Sequence, residues 1–539
     1  MGPAGRLGRR QRGEEVTARA SHRNTTLAKI TFHSFDFGLV DGYGGPLDRI
    51  FGGRARTLHD RRRTLVGDIV SFQTTKPLAG EGGDWSVTTK GQVYGDIAKG
   101  GQTWTSVLQD GDWATINVVK NGREVHVMEG RVDSLRVAIT AGADGANDVT
   151  VTISGRDLTA APVDTPLHFN PYDPLHNNAA GIDMVKLFGD AFAGRPHEAI
   201  PKILTAALGD NAANFGHPPL VPPGVFKVTE TKWSDGIDIV ARVAECRGFL
   251  FAPALLNNGQ VQSLWQLANQ YCNPTFNEMW LDTDPDGGDV VGGRKGFLNL
   301  RERPFVNIAD GGNSPWYKLP AHVVPLSTVT GISLTRGRNR VNYVQFLGAF
   351  ASIFQSDAMA LAPPSFDEPS IKRWGLRKLE MSSNYLSEES EGGADNWAAE
   401  NKRWRDLLVA WNALNGYYWD GTIQLAEMRP EIRVGSKLVL TGGPPAGYAD
   451  FPTDKGDPNA AMTFYIEAVQ HNWQAGQSPT AGTQLLVTQG YVEKDRLPDI
   501  QAAMLNWKDV VGTEGAKDPS TIGDYPEGEP ADDGSEALQ

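Results

Sequence analysis

The sequence predicts a β-rich, multidomain α+β chain, with an antiparallel β region towards each end and an α/β stretch between them. Three observations carry this. Alternating apolar and polar residues dominate Leu27–Ser154 and return from Val329 to Thr488. Between them lie proline-rich connectors and apolar residues at helical spacing. The chain has 539 residues, 40% hydrophobic and 21% charged, which is enough for about three or four domains with a sizeable core.

The first β region rests on one strong local signal. Ile116 and Val118, then Asn121-Gly122, then Val125 and Val127 spell two strands around a two-residue turn. Arg131–Thr140 and Val149–Ser154 continue the alternation across the loop Gly142–Asn147, so a small antiparallel sheet or barrel is expected. After Pro162 the pattern changes. Ile200, Ile203, Leu204, Ala207 and Leu208 form an apolar stripe stopped by Gly209. Ser234 is placed to cap a second helix carrying Ile239, Val240, Val243 and Cys246, closed by Gly248. Short strands are expected at Phe249–Ala252 and Val261–Gln266, then a loop-rich passage from Asn273 to Pro320.

The second β region has strand candidates at Val329–Leu334, Val341–Phe346, Thr422–Leu425, Lys437–Leu440, Phe464–Val469 and Gln484–Thr488. One helix interrupts it, with Trp397, Trp404, Leu407, Leu408, Trp411 and Leu414 on one face, Asp395 as a cap and Gly416 as the stop. Core packing is the first role for that stripe; a sugar-stacking face is the alternative. The chain ends in Glu514, Asp518, Asp524, Glu527, Glu529, Asp532, Asp533 and Glu536 with hardly an apolar residue, a composition that does not fold alone.

Composition narrows function. No run of about eighteen apolar residues occurs, so no membrane-spanning helix is expected. Arg6, Arg9, Arg10 and Arg12 are not followed by an apolar segment, so no secretory leader is expected; the opening residues read as a basic arm or a plain lead-in. Two cysteines, Cys246 and Cys272, make neither a disulfide framework nor a cysteine zinc site; Cys246 is expected to be a buried structural thiol. A net charge of −13 argues against nucleic-acid binding over the whole outer surface, though not against a locally charged channel.

Catalytic spacing is missing. There is no His-Glu-x-x-His, no phosphate-binding glycine loop and no Gly-x-Ser-x-Gly. Asp282, Asp284, Asp286 and Gly287 copy half a calcium loop, but Pro285 interrupts it and Gly293 stands where the bidentate glutamate belongs. His33, His59, His126, His168, His176, His197, His217, His322 and His471 show no paired spacing. Carboxylate pairs for sugar hydrolysis assemble from distant positions and stay open. Arg54, Arg56, Arg61, Arg62 and Arg63, beside Gly52 and Gly53, read as a basic loop. It serves either nucleic acid, an acidic neighbouring subunit (the favoured reading) or only solvent. No catalytic, cofactor or metal residue is assigned, no cofactor is expected, and the chain is expected not to be an enzyme.

Three stretches, in order, resemble the baseplate hub family of long-tailed phages and phage tail-like particles, which includes the late control protein D group and the hub portion of type VI secretion spike proteins. Val149–Thr159, ending in Gly155-Arg156-Asp157, is similar to the closing strand of the family's first barrel. Trp233–Ala252 is similar to its helix-then-strand middle unit. Gly337–Phe346, with Arg336, Arg338 and Arg340, looks like the opening of its second barrel. Trp397–Leu414, Asp420–Ile423, Arg429–Leu440, Phe464–His471 and Thr483–Gly490 follow in family order. Leu300–Phe305 and Trp316–Pro320 resemble connectors of hub-like tail proteins. Residues 282–293 and 351–396 look like insertions.

The resemblance implies two similar antiparallel β-barrels of tail-tube type with an α/β middle domain. The divisions are a basic arm at 1–25, a first barrel at 26–165, a middle domain at 166–322, a second barrel at 323–498 with the inserted helix 397–414, and an acidic tail at 499–539. It also implies a structural role in a virion tail baseplate, assembled in the host cytoplasm. Three copies would form a ring with a central channel, adapting a sixfold tail tube to a threefold spike. Implied partners are a second and third copy, the tail tube or distal tail protein, the central spike, other baseplate proteins, and in passing the tape-measure protein or exiting DNA. The alternative is a tail-associated cell-wall or polysaccharide hydrolase; a third reading is an adhesin that stacks sugars on Trp397, Trp404 and Trp411.

Overall fold

The fold is given by a computed structural model. It describes residues 26–41, 54–95, 103–141, 147–164, 193–194, 199–201, 203–204, 227–229, 238–243, 249–251, 263–272, 274–283, 296–304, 315–337, 341–348, 364–383, 385–386, 405, 408–409, 412, 415, 418–442, 461–476 and 480–492.

Six strands open the chain: β1 (Thr26–Asp41), β2 (Arg54–Pro77), β3 (Asp84–Gly95), β4 (Trp113–Lys120), β5 (Arg123–Ala141) and β6 (Asn147–Asp157). Their neighbour order is β1-β4-β5-β6-β3-β2, and β2 pairs back onto β1, so the antiparallel pairings form a closed circuit. Alternation drives it: Phe32, Val87, Ile116, Val118, Val127 and Ile153 point inward and pack with Trp85 and Trp104. The expected hairpin is present, with Asn121 at φ 54° and Gly122 at φ 79°, the left-handed pair that a type I′ turn needs. A Cβ on Gly122 would meet nothing within 4 Å, so only backbone strain opposes it. Gly122→Ala should destabilise by roughly 1–2 kcal/mol, read from the midpoint of chemical unfolding.

The arginine cluster is not a loop. Arg54, Arg56, Arg61 and Arg63 lie in β2, facing Asp41, Leu39, Phe35 and Ser34 of β1 in the ladder. A strand is fixed by its partner more than by its own side-chain charge, and residues 34–41 supply that partner.

The middle region contributes β7 (Ala193–Gly194), β8 (Lys227–Thr229), β9 (Asp238–Val243), β10 (Phe249–Phe251), β11 (Asn277–Thr283) and β12 (Gly296–Glu302). The helix expected after Ser234 is replaced by β9, which pairs in parallel with β8 on one side and β12 on the other. Ile239, Val240 and Val243 form a short apolar run, which fits a central parallel strand as well as a helix face. Cys246 lies outside the described residues. The reverse error occurs next: in place of a strand at Val261–Gln266 there is a helix, Leu264–Cys272. Leu264, Leu267, Ala268 and Tyr271 are buried at helical spacing, and Ser263 Oγ accepts the Gln266 amide at 3.3 Å. The loop-rich passage contains β11 and β12, paired antiparallel, and Asp282 faces Phe297 in that ladder. Asp282 is therefore a strand residue; Asp284, Asp286 and Gly293 lie outside the described residues. Ile200, Ile203 and Leu204 are helical and buried, as the stripe predicted.

The remaining strands are β13 (Ala321–Pro325), β14 (Val329–Arg336), β15 (Tyr343–Gly348), β16 (Ser365–Phe366), β17 (Lys378–Ser383), β18 (Tyr385–Leu386), β19 (Trp419–Leu425), β20 (Lys437–Thr441), β21 (Met462–Gln474) and β22 (Thr480–Val492). Six of them repeat the earlier order. They run β13-β20-β21-β22-β19-β14, so each set, numbered along the chain, reads first, fourth, fifth, sixth, third, second. Three features differ. Among the described residues β2 pairs back onto β1, whereas β14 forms no ladder with β13. β13 is parallel to β20, whereas β1 is antiparallel to β4. The chain passes from β13 to β14 through a 3-10 turn, Leu326–Thr328. The second set has its own core, including Val324, Ile423, Leu438, Phe464, Ile466, Leu485 and Val487.

The strand expected to open this region, β15, instead belongs to a separate sheet with β16 and β17; β13 and β14 come first. Part of the 351–396 stretch is folded too: Asp367 caps the helix Glu368–Trp374 by accepting the Ser370 amide at 3.2 Å. Of the Trp397–Leu414 helix, residues 405, 408, 409 and 412 are described as helical, and Leu408 and Val409 are buried. Trp397, Trp404 and Trp411, both chain termini and the acidic tail lie outside the described residues.

Candidate functional site

The built feature of this molecule is a junction where the two β sets and the middle sheet meet. Its spine is an edge-to-edge ladder: Ser71–Pro77 of β2 runs antiparallel to Ala468–Gln474 of β21. Phe72 stacks on Trp473 with ring centroids 6.1 Å apart, and the Trp473 indole donates to the Thr26 carbonyl at 2.9 Å.

A second contact uses a defect. The β4–β5 ladder slips between Ile116 and Asn117, which face Met128 and His126, leaving Val127 as the extra residue of a bulge. Arg433, just before β20, donates to the freed carbonyls of His126 and Val127, the latter at 2.9 Å. Lys120 donates to the Met428 carbonyl at 2.8 Å. His126 itself is buried, with Nδ1 2.8 Å from Asn117 Oδ1.

The middle sheet docks through a buried charge. Glu278 on β11 accepts from Arg301 Nε and from the Tyr465 hydroxyl, each at 2.6 Å. Arg301 also donates to the Gly435 carbonyl at 2.6 Å, and its guanidinium lies 5.0 Å over the Trp280 ring. Burial raises the Tyr465 phenol pKa well above its ordinary value, and the Glu278 carboxylate adds to this. Burial opposes the Arg301 charge, but Glu278 and Tyr465 together outweigh it and the pKa moves up. Gly435 sits at φ +72° with the Trp280 ring 2.8 Å from where a Cβ would stand, so both conformation and space require glycine there.

Ions also brace the end of the first set. Arg156 bonds Asp133 at 2.7 Å and Asp164 at 2.8 Å, and Arg131 reaches both carboxylates. Burial alone would raise the two aspartate pKa values, but hydrogen bonds from the arginines overcome it and hold both below normal. A depressed carboxylate stabilises the fold above its unfolded pKa and stops doing so as pH falls through the folded value. This contribution should therefore vanish only below about pH 4.

His471 titrates in a different window. It is buried beside Thr483 Oγ1 at 2.9 Å, and burial, then the Arg433 charge, pull its pKa down to about 3. Only the unfolded chain takes up a proton as pH drops below about 6.5, so stability falls from there downward. His471→Asn should flatten the loss between pH 7 and 5, by roughly 2 kcal/mol, in unfolding curves recorded across that range.

No protein-family model matches the chain, and no curated protein matches it either. Among solved structures it is similar to a tail protein of Neisseria meningitidis MC58, at 14% identity and TM-score 0.42 over 85% of this chain and 96% of that one. It is also similar to a 43 kDa tail protein of prophage MuSo2 from Shewanella oneidensis, at 12% identity and TM-score 0.39 over 78% and 95%. A third is an E. coli type VI secretion component described as structurally similar to phage T4 tail proteins gp27 and gp5, at 9% identity and TM-score 0.36 over 80% and 75%.

Among the described residues the histidines do not converge. His33 and His59 face Thr64 and Asp36 on the β1–β2 ladder, and burial lowers the pKa of His322 on β13. His168, His176, His197 and His217 lie outside the described residues. Among the described residues no three His, Cys, Asp or Glu side chains are grouped to hold a metal ion. The junction residues Arg433, Trp473, Glu278, Arg301 and Tyr465 were missed by sequence reading. The one available hint was Pro430-Glu431-Ile432-Arg433-Val434-Gly435-Ser436, a polar turn just before an apolar strand.

Proposed function

We propose that this chain is a structural hub of a phage-type tail baseplate. Three copies make a ring around a central channel, and each contributes two related β modules, so that six quasi-equivalent units adapt a sixfold tube to a threefold spike. The divisions expected from the sequence, 26–165, 166–322 and 323–498, are kept as part of this proposal, with the second module opening at β13 (Ala321–Pro325). The observation that carries this proposal is the repeated strand order, first, fourth, fifth, sixth, third, second, found twice in one chain. Two related modules per chain are what a threefold assembly needs to present a sixfold outline. The junction side chains support the same role, because they brace the two modules against each other.

Mass measurement in solution tests the proposal. Native mass spectrometry or light scattering on the full chain should return three times the 58.4 kDa chain mass. A chain that stays monomeric at tens of micromolar (roughly the range of weak assembly) overturns it.

A further inference from the structure

The small sheet of β15, β16 and β17 carries a turn that holds an apolar side chain out in water. The helix Glu368–Trp374 stops at Gly375, at φ +77°, and β17 begins at Lys378. Asn342, buried, pins the turn from beneath. Its side-chain amide donates to the Gly375 carbonyl at 2.9 Å, its side-chain oxygen accepts the Arg377 amide at 2.7 Å, and its backbone N–H donates to the Arg377 carbonyl at 3.0 Å. At the tip stands Leu376, 57% exposed. Lys372, Arg373, Arg377 and Lys378 surround it, all exposed, and the Arg373 guanidinium lies 4.7 Å over the Trp374 ring. The acids of the stretch are Asp367, which caps the helix, and Glu368, which pairs with Lys372 at 2.5 Å.

A cationic tip with an apolar centre, on a chain of net charge −13, fits an acidic segment that also carries apolar side chains. A turn already pinned by three hydrogen bonds loses little freedom when such a segment seats on it. The chain itself contains one. Residues 518–529 supply Asp518, Asp524, Glu527 and Glu529 together with Ile522 and Tyr525. They also lie within reach. Gly490 of β22 pairs with Trp419, Trp419 faces Arg336, and the Gly337 amide donates to the Tyr418 carbonyl at 3.1 Å. Asn342, under the turn, follows Gly337 by five residues, which span at most about 18 Å. Two ladder steps add roughly 10 Å, so the turn stands within about 30 Å of Gly490. Asp518 follows Gly490 by 28 residues, and a coil of that length spans roughly 30 Å. Effective concentration is highest when tether length and span agree.

We propose that the basic turn at 372–378 is a docking site for the acidic segment 518–529 of the same chain. The four cations meet the four carboxylates, and Leu376 and Trp374 meet Ile522 and Tyr525. Charge complementarity, apolar complementarity and tether length argue for this occupant together. The contact is independent of the hub reading, because it lies within one chain and needs no second copy.

The test is carbodiimide cross-linking of the full chain, which joins a lysine amine to a carboxylate in contact with it, read by mass spectrometry of the digest. Lys372 or Lys378 should be linked to Asp518, Asp524, Glu527 or Glu529, and the link should vanish when these four are changed to the matching amides. In an equal mixture of ordinary and heavy-isotope-labelled chains, each linked pair should be wholly light or wholly heavy. Mixed pairs would seat the segment on a neighbouring copy and overturn the contact within one chain. The variant Arg373→Glu, Arg377→Glu, Lys378→Glu changes exposed side chains only, so its circular dichroism spectrum should be unchanged. Trypsin should cut it after Lys517 about tenfold faster than the wild type, because the tethered segment is released. Absence of the link in the wild type, or an unchanged cutting rate in the folded variant, overturns the proposal.

Discussion

Arg301→Ala is expected to lower stability by about 3–5 kcal/mol. The substitution strands the Glu278 carboxylate, whose side chain is only 5% exposed, with the Tyr465 hydroxyl as its remaining strong partner. It also removes the donor to the Gly435 carbonyl and the cation over Trp280. Much of the loss is desolvation of an uncompensated charge, which makes a specific prediction about the pair. Changing Glu278 and Arg301 together to methionine should restore much of the stability lost in either single variant, because an apolar pair needs no counter-charge. Urea unfolding of the four chains of this cycle checks it; a double variant as unstable as the sum of the singles refutes the buried-charge account.

Trp473→Ala is expected to cost a further large amount, about 3–5 kcal/mol. The indole is 7% exposed, stacks on Phe72 and holds the start of β1 through Thr26. The effect should be local to the joint. Hydrogen exchange should accelerate first at the amides of Ser71–Lys76 and Ala468–Gln474, ahead of the strands inside either module. Uniform acceleration across all strands would mean that the modules have no separate stability.

What the sequence made legible was local. The Asn121-Gly122 turn needs only its own two residues and their flanking alternation, and it stands where expected. The strands around Ile423, Leu438, Ile466 and Leu485 were readable for the same reason. Short apolar runs were not. Ile239–Val243 became a strand because β8 and β12 flank it, and Leu264–Tyr271 became a helix because one face of it is buried. Neither fact is local. The junction was the least legible part: Glu278 and Tyr465 are 187 residues apart, and Arg433 and Val127 are 306 apart. A charged residue whose partner is that distant looks like any solvated one.

The reversed direction of β13 has a consequence of its own. Because β13 runs parallel to β20 while β1 runs antiparallel to β4, the polypeptide feeds one module from its top and the other from its bottom. In a closed collar of such chains, neighbouring units would share a wall but carry unlike crowns. Each rim would then repeat every second unit, so a partner with three arms could find its footing without counting to six.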